Sequence, residues 1–63
     1  MKPIYEAYAY ETYCGKILRE KTSKKLYRTK FLARIKAKEL AEILDFETSG
    51  RPTDIYFNVR EVV

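Results

Sequence analysis

The sequence of 63 residues contains no histidine and a single cysteine, Cys14. Without histidine, neither Ser–His nor Cys–His catalysis can operate, and no histidine-ligated metal or haem site can form. One thiol excludes both an internal disulfide and a structural zinc site. The two glycines, Gly15 and Gly50, belong to no phosphate-binding loop motif. These absences predict a protein that is not an enzyme and that carries neither a metal nor another cofactor.

The sequence also lacks long apolar runs. No segment approaches the roughly 20 apolar residues of a membrane span, and no apolar signal segment follows Met1. With its lone cysteine, the chain is predicted to be intracellular, in the cytoplasm (of the host cell, if it is viral), with no membrane partner. Cys14 is either a reactive thiol near Lys16 or an incidental turn residue.

Positive charge is concentrated in the middle of the chain. Residues 16–38 contain ten Lys and Arg and one acid, a net charge of +9, whereas the remaining residues sum to −5. A concentrated basic surface attracts phosphate backbones or acidic protein surfaces. The alternative is that these side chains only keep the surface of a small domain soluble.

The first half of the chain is typical of a β-hairpin. Apolar and polar residues alternate over residues 3–13, Cys14-Gly15 suits a tight turn, and residues 16–20 form a second, short strand. Residues 25–35 fit either a third strand or the start of a helix. The strand is preferred because it leaves fewer apolar residues misplaced.

The second half predicts one helix and one strand. Apolar residues recur at helical spacing over residues 37–46, and residues 54–63 alternate again. The chain is therefore predicted to be a single domain, residues 1–63, of the α+β class. Its small, mostly antiparallel sheet of three or four strands carries one helix on one face.

Alternation along the strands divides the side chains between the two faces of this sheet. The helix is expected to cover Ala7, Ala9, Phe31, Ile35, Ile55, Phe57 and Val59. The uncovered face is expected to collect three tyrosines and four cations: Tyr8, Tyr10, Tyr56, Arg28, Lys30, Arg34 and Arg60.

Tyrosines interleaved with Arg and Lys on an open sheet favour nucleic-acid binding, with bases stacked on the rings and cations on the phosphates. The predicted interface joins this face to four basic residues from the hairpin and the following loop: Lys16, Arg19, Lys24 and Lys25. RNA and DNA are equally compatible with it. Tyrosine is also common on solvated sheets, and the same face suits a protein interface. Exposed sheet edges leave a homodimer as a further alternative.

The order of elements resembles that of very small phage-encoded inhibitors. Strands are followed by an Ala-Lys-Glu-Leu helix and a closing Ile-Tyr-Phe-Asn-Val-Arg strand, as in phage inhibitors of bacterial RNA polymerase and some anti-CRISPR proteins. The likeness spans roughly residues 25–62 and concerns element order, so it transfers no functional residue. Those proteins are frequently acidic where this chain is basic. The resemblance implies an accessory protein that acts by binding a host protein or nucleoprotein machine.

Overall fold

A computed structural model describes residues 3–62 as two strands, a helix and a third strand. Strand β1 spans Tyr5–Tyr13, β2 spans Lys16–Thr22, helix α1 spans Lys30–Thr48 and β3 spans Asp54–Glu61. The predicted α+β class is confirmed, and the sheet has three strands within the described residues. Val63, the end of the predicted last strand, lies outside them.

Strand β1 is the centre of the sheet, whose order is β2-β1-β3 with antiparallel pairing on both sides. The hairpin places β2 on one edge, and α1 carries the chain across the sheet to the other edge. Ala9, for example, lies opposite Lys21 of β2 and Phe57 of β3. Since directly opposed residues point to the same face, the alternation of β1 decides which side chains face the helix.

The hairpin turn lies where the sequence predicts it, at Cys14 and Gly15. Both residues have left-handed backbone angles, φ 51° and φ 79°, as a two-residue primed turn requires. Glycine adopts this conformation freely, but a side chain there costs about 1 kcal/mol. Asn tolerates the conformation better than most residues do.

We therefore expect Cys14→Asn to raise the thermal unfolding midpoint by a few degrees, because about 1 kcal/mol corresponds to about 4–8 °C in a domain this small. Circular dichroism melts would measure the shift. Cys14→Ser, which removes the thiol but keeps the strained conformation, is the control and should melt close to the wild type. Equal midpoints for the Asn and Ser variants would show that the turn stores no such strain.

The prediction of a strand over residues 25–35 is wrong, because the helix begins at Lys30. The Thr29 hydroxyl accepts a hydrogen bond from the Leu32 amide at 3.2 Å and caps the helix. Only Tyr27 pairs with the sheet, through a single bridge to Tyr5. The helix also extends two residues beyond its predicted end, to Thr48.

Small side chains hold α1 on the sheet. Ala33, Ala37 and Ala41 recur every four residues and, with Leu40 and Leu44, pack on the fully buried Ala7 and Ala9. The prediction that these two strand alanines lie under the helix is confirmed.

The large apolar residues predicted for this core divide into three groups. Ile55 and Val59 pack against its margin. Phe57 lies on the same face but stays 43% exposed. Phe31 and Ile35 were expected beneath the helix and instead lie on its exposed surface, because residues 25–35 are not a strand.

A buried carboxylate joins the remaining elements. Glu11 faces α1 and is fully buried. Its Oε1 accepts a hydrogen bond from Arg19 Nε of β2 at 2.9 Å. Its Oε2 accepts from the hydroxyls of Thr48, at the end of α1, and Thr53, just before β3, at 2.8 and 2.7 Å. The cluster therefore joins β1 and β2 to the end of α1 and to the residue that precedes β3.

These contacts lower the pKa of Glu11 from 4.5 to about 2. The hydrogen bond from Thr53 is the largest cause, burial opposes it, and the bonds from Arg19 and Thr48 add to it. Because the pKa is lower in the folded than in the unfolded chain, the stabilisation is complete above pH 4.5. It is lost as the pH falls from there toward 2.

We expect Glu11→Gln to be less stable than the wild type at neutral pH and to lose less stability on acidification. Urea unfolding at a series of pH values would measure both free energies. The quantity to compare is the difference between the variant and the wild type in free energy of unfolding at each pH, because other carboxylates titrate in the same range. Glu20→Gln, at an exposed position on β2, is the control and should parallel the wild type. A parallel profile for Glu11→Gln would contradict the assignment.

Candidate nucleic-acid interface

Three tyrosines stack on the sheet face that α1 leaves open. The register places Tyr10 opposite Tyr56 and next but one to Tyr8 on the same strand. The ring centroids of Tyr8 and Tyr10 are 6.1 Å apart and those of Tyr10 and Tyr56 are 5.4 Å apart, with interplanar angles of 12° and 28°. The structure thus brings together the three tyrosines of the predicted interface in one continuous aromatic row.

Arg60 is the one predicted cation that joins this row. Its guanidinium lies 4.7 Å from the centroid of the Tyr8 ring, and its Nε donates to Glu6 Oε1 at 2.6 Å. That hydrogen bond raises the pKa of Arg60. Arg60 therefore orders the end of the aromatic row while its charge is balanced by Glu6.

The open face is not basic, contrary to the sequence prediction. Glu20 lies opposite Tyr10 and Asp54 opposite Thr12, so with Glu6 this face carries three acids against Arg60. Arg28, Lys30 and Arg34 are absent from it because they belong to the connection after β2 and to α1. The tyrosine row alone thus offers stacking surface without net positive charge.

The cations of β2 also differ from the prediction. Arg19 turns to the helix side, where it binds Glu11 and lies 3.3 Å from Glu47. Lys21 lies 3.4 Å from the same Glu47 carboxylate oxygen. Lys16 pairs with Tyr13 at the hairpin end of the sheet. The charge of Arg19 is thus used in ion pairs within the protein. Lys16 lies at the hairpin, about 26 Å along β1 from Tyr5 at the other end of the strand.

Uncompensated positive charge gathers beyond the other end of the sheet. Five exposed cations lie in the connection between β2 and α1 and in the first turns of α1. We call them the basic segment: Lys24, Lys25, Arg28, Lys30 and Arg34. Within residues 3–62, none of the five forms an ion pair. The amino-terminal end of α1, which lies in this segment and has no acid in its first turn, adds its positive dipole end.

Two further tyrosines support the basic segment. Tyr5 and Tyr27 exchange backbone hydrogen bonds of 2.7 and 2.9 Å. Lys30 Nζ lies 6.0 Å from the centroid of Tyr5, and Lys25 Nζ lies 5.8 Å from that of Tyr27. Sequence reasoning missed both rings because it confined the aromatic part of the interface to Tyr8, Tyr10 and Tyr56 on the open sheet face. The run of cations around Tyr27 was the available signal.

Ser23 fixes the start of the basic segment. The hydroxyl of this buried residue accepts a hydrogen bond from the Ala7 amide at 3.1 Å and donates one to the Lys25 carbonyl at 2.8 Å. Its own amide donates to the Ala7 carbonyl at 2.8 Å. The chain that carries Lys24 and Lys25 is therefore tied to the sheet edge.

Comparison with protein-family models, curated proteins and solved structures finds no match to this chain. No helix among residues 3–62 combines the length and the apolar character needed to cross a membrane. Over the same residues, no three His, Cys, Asp or Glu side chains are placed to hold one metal ion together.

Proposed function

We propose that this protein is a non-enzymatic binding module for single-stranded nucleic acid. The observation that carries the proposal is the basic segment, five exposed cations with no carboxylate partner in the described chain. When unpaired Lys and Arg bind phosphates, they displace cations condensed on the nucleic acid, and this counterion release supplies a large share of the affinity. Cations already paired with carboxylates, such as Arg19, contribute far less.

The tyrosine row supplies the second part of the proposed interface. Thr22, opposite Tyr8, is the last residue of β2, and Lys24 follows two residues later. The basic segment therefore begins within about 7 Å of chain from the sheet edge beside Tyr8. A strand whose phosphates lie on the basic segment reaches the edge of the aromatic row, where bases stack on Tyr8, Tyr10 and Tyr56.

Single strands fit this arrangement better than duplexes do. The bases of a single strand are free to stack on aromatic rings, whereas those of a duplex are paired and inaccessible. The acids of the open face also disfavour a duplex there, since they oppose a second phosphate backbone. The sequence prediction that the sheet itself holds the phosphates is replaced here by a division between phosphate-binding and base-binding surfaces.

Reversing charge in the basic segment should weaken binding. We expect Lys24→Glu/Arg28→Glu to lower affinity for labelled single-stranded RNA and DNA by at least tenfold. The slope of log affinity against log salt should become shallower by about 1.4, or 0.7 per lost phosphate contact. Fluorescence anisotropy across a salt series measures both quantities.

The matched control is Lys16→Glu/Arg51→Glu, which makes the same change in net charge at the hairpin end of the molecule. It should retain most of the affinity and the wild-type salt slope. Equal losses in the two double variants would show that only net charge matters. Absence of binding to any single strand at low salt would overturn the proposal, and an acidic protein surface would then be tested against the basic segment.

The tyrosine row is tested separately. We expect Tyr8→Thr and Tyr56→Thr each to weaken single-strand binding by about 1–3 kcal/mol per base that loses its ring, and to change duplex binding little. Threonine keeps the β-propensity of the strand. Tyr13→Thr, which removes a half-exposed ring at the hairpin, is the control. Unchanged single-strand affinity in the first two variants would remove the rings from the interface.

A further inference from the structure

The surface of α1 that faces away from the sheet carries a second apolar stripe. Leu32, Ile35, Ile43 and Phe46 recur at spacings of three, eight and three residues, which places them on one side of a helix. All four are exposed, and Phe46 is 85% accessible. We call these four residues the outer stripe.

The exposure of these four side chains is not explained by a core already filled with large apolar residues. The inner side of the same helix holds three alanines beside Leu40 and Leu44. Apart from these two leucines, the large apolar side chains of the helix are exposed. Four large apolar side chains on one side of an exposed helix are more than the scattered single exposures that need no partner. A shallow groove of about 290 Å³ lies on the outer side of the helix between Glu39, Glu42, Ile43 and Phe46.

The charges of α1 indicate which partner fits the stripe. Every charged residue of the first nine positions of the helix is basic: Lys30, Arg34, Lys36 and Lys38. Every charged residue of the last ten positions is acidic: Glu39, Glu42, Asp45 and Glu47. This order is the reverse of the one that the helix dipole favours. Two of these charges lie elsewhere, since Lys30 contacts the Tyr5 ring and Glu47 pairs with Arg19 and Lys21. Lys38 in the basic half and Glu42 in the acidic half flank the outer stripe on one side, and they are complementary when one helix is turned end for end.

We propose that two copies of this chain associate through their outer stripes, with the two α1 helices antiparallel about a twofold axis level with Glu39. The basic half of each helix then lies against the acidic half of the other, and the two helix dipoles are opposed. Leu32 lies level with Phe46 of the second copy, and Ile35 lies level with Ile43. Lys38 and Glu42 lie on the same flank of the stripe and within one turn of being level, so they pair between copies.

This arrangement accounts for the groove and sets the strength of the association. Leu32 and Ile35 of one copy enter the groove beside Ile43 and Phe46 of the other. A helix of 19 residues is about 28 Å long, so one helix pair buries less than the roughly 800 Å² per partner of a standard interface. We therefore expect a reversible dimer with a dissociation constant in the micromolar range rather than an obligate one.

Glu39 provides a specific signature of the twofold axis. It lies in the middle of the outer stripe, so the two copies bring their Glu39 carboxylates together, and like charges at short range oppose association. We expect Glu39→Gln to tighten the dimer severalfold. Glu20→Gln, which removes the same charge from the open sheet face, should leave the dimerisation constant unchanged.

Sedimentation equilibrium over a range from about 1 μM to 1 mM tests the proposal, because it spans the expected dissociation constant. We expect Ile35→Asp to weaken the dimer at least tenfold, and Ile17→Asp, at an exposed isoleucine of the hairpin, to leave it unchanged. Lys38→Glu and Glu42→Lys should each weaken it, and the double variant Lys38→Glu/Glu42→Lys should restore it. Circular dichroism confirms that each variant is folded.

A protein that stays monomeric at 1 mM overturns the proposal, as does a dimer weakened by Ile17→Asp but not by Ile35→Asp. Failure of the charge reversal to restore association overturns the antiparallel arrangement. None of these variants alters the basic segment's Lys24 or Arg28, so the result is independent of nucleic-acid binding.

Discussion

The buried carboxylate of Glu11 is the interaction on which the arrangement of the chain depends. Arg19, Thr48 and Thr53 approach it from the edge strand, the helix end and the last loop, so one side chain fixes the relative position of all four elements. A charge without such partners would be expensive to bury. The cluster therefore specifies one arrangement in a domain whose apolar core, made largely of alanines, is too small to be selective by shape.

The molecule is divided along its length into parts with different roles. It measures 42 Å in its longest dimension; the Glu11 cluster lies toward the hairpin end, and the basic segment lies toward the opposite end. Among the described residues, carboxylates pair with Arg19 and Lys21 near the cluster but with none of the cations of the basic segment. The ion pairs that stabilise the fold and the basic segment proposed to bind phosphates are thus at opposite ends of the molecule.

Much of the fold could be predicted from the sequence because it depends on local signals. The alternation of β1, the Cys14-Gly15 turn and the apolar spacing after Ala37 each identify an element without reference to the rest of the chain. Residues 25–35 could not be assigned in this way. Their alternation favours a strand, and only the buried position of Ala33 shows that alanine, rather than Phe31 or Ile35, is the core residue. The assumption that large apolar side chains are buried failed there.

The candidate interface shows the same limit. The tyrosine row follows from strand alternation alone, so Tyr8, Tyr10 and Tyr56 could be grouped from the sequence. The sequence does not show which cations are free of ion pairs, because the pairing of Arg19 with Glu11 and Glu47 depends on contacts between residues distant in the chain.

The hydrogen bonds of Ser23 have a thermodynamic consequence for any ligand that binds the basic segment. A basic loop that is mobile before binding must lose conformational entropy when a ligand orders it, at a cost of about 1–2 kcal/mol for each residue whose backbone becomes fixed. Here Ser23 already holds this part of the chain, through hydrogen bonds to Ala7 of the central strand and to the Lys25 carbonyl. Much of that ordering is completed during folding, so under the proposed function the segment would present a preorganised surface to phosphates.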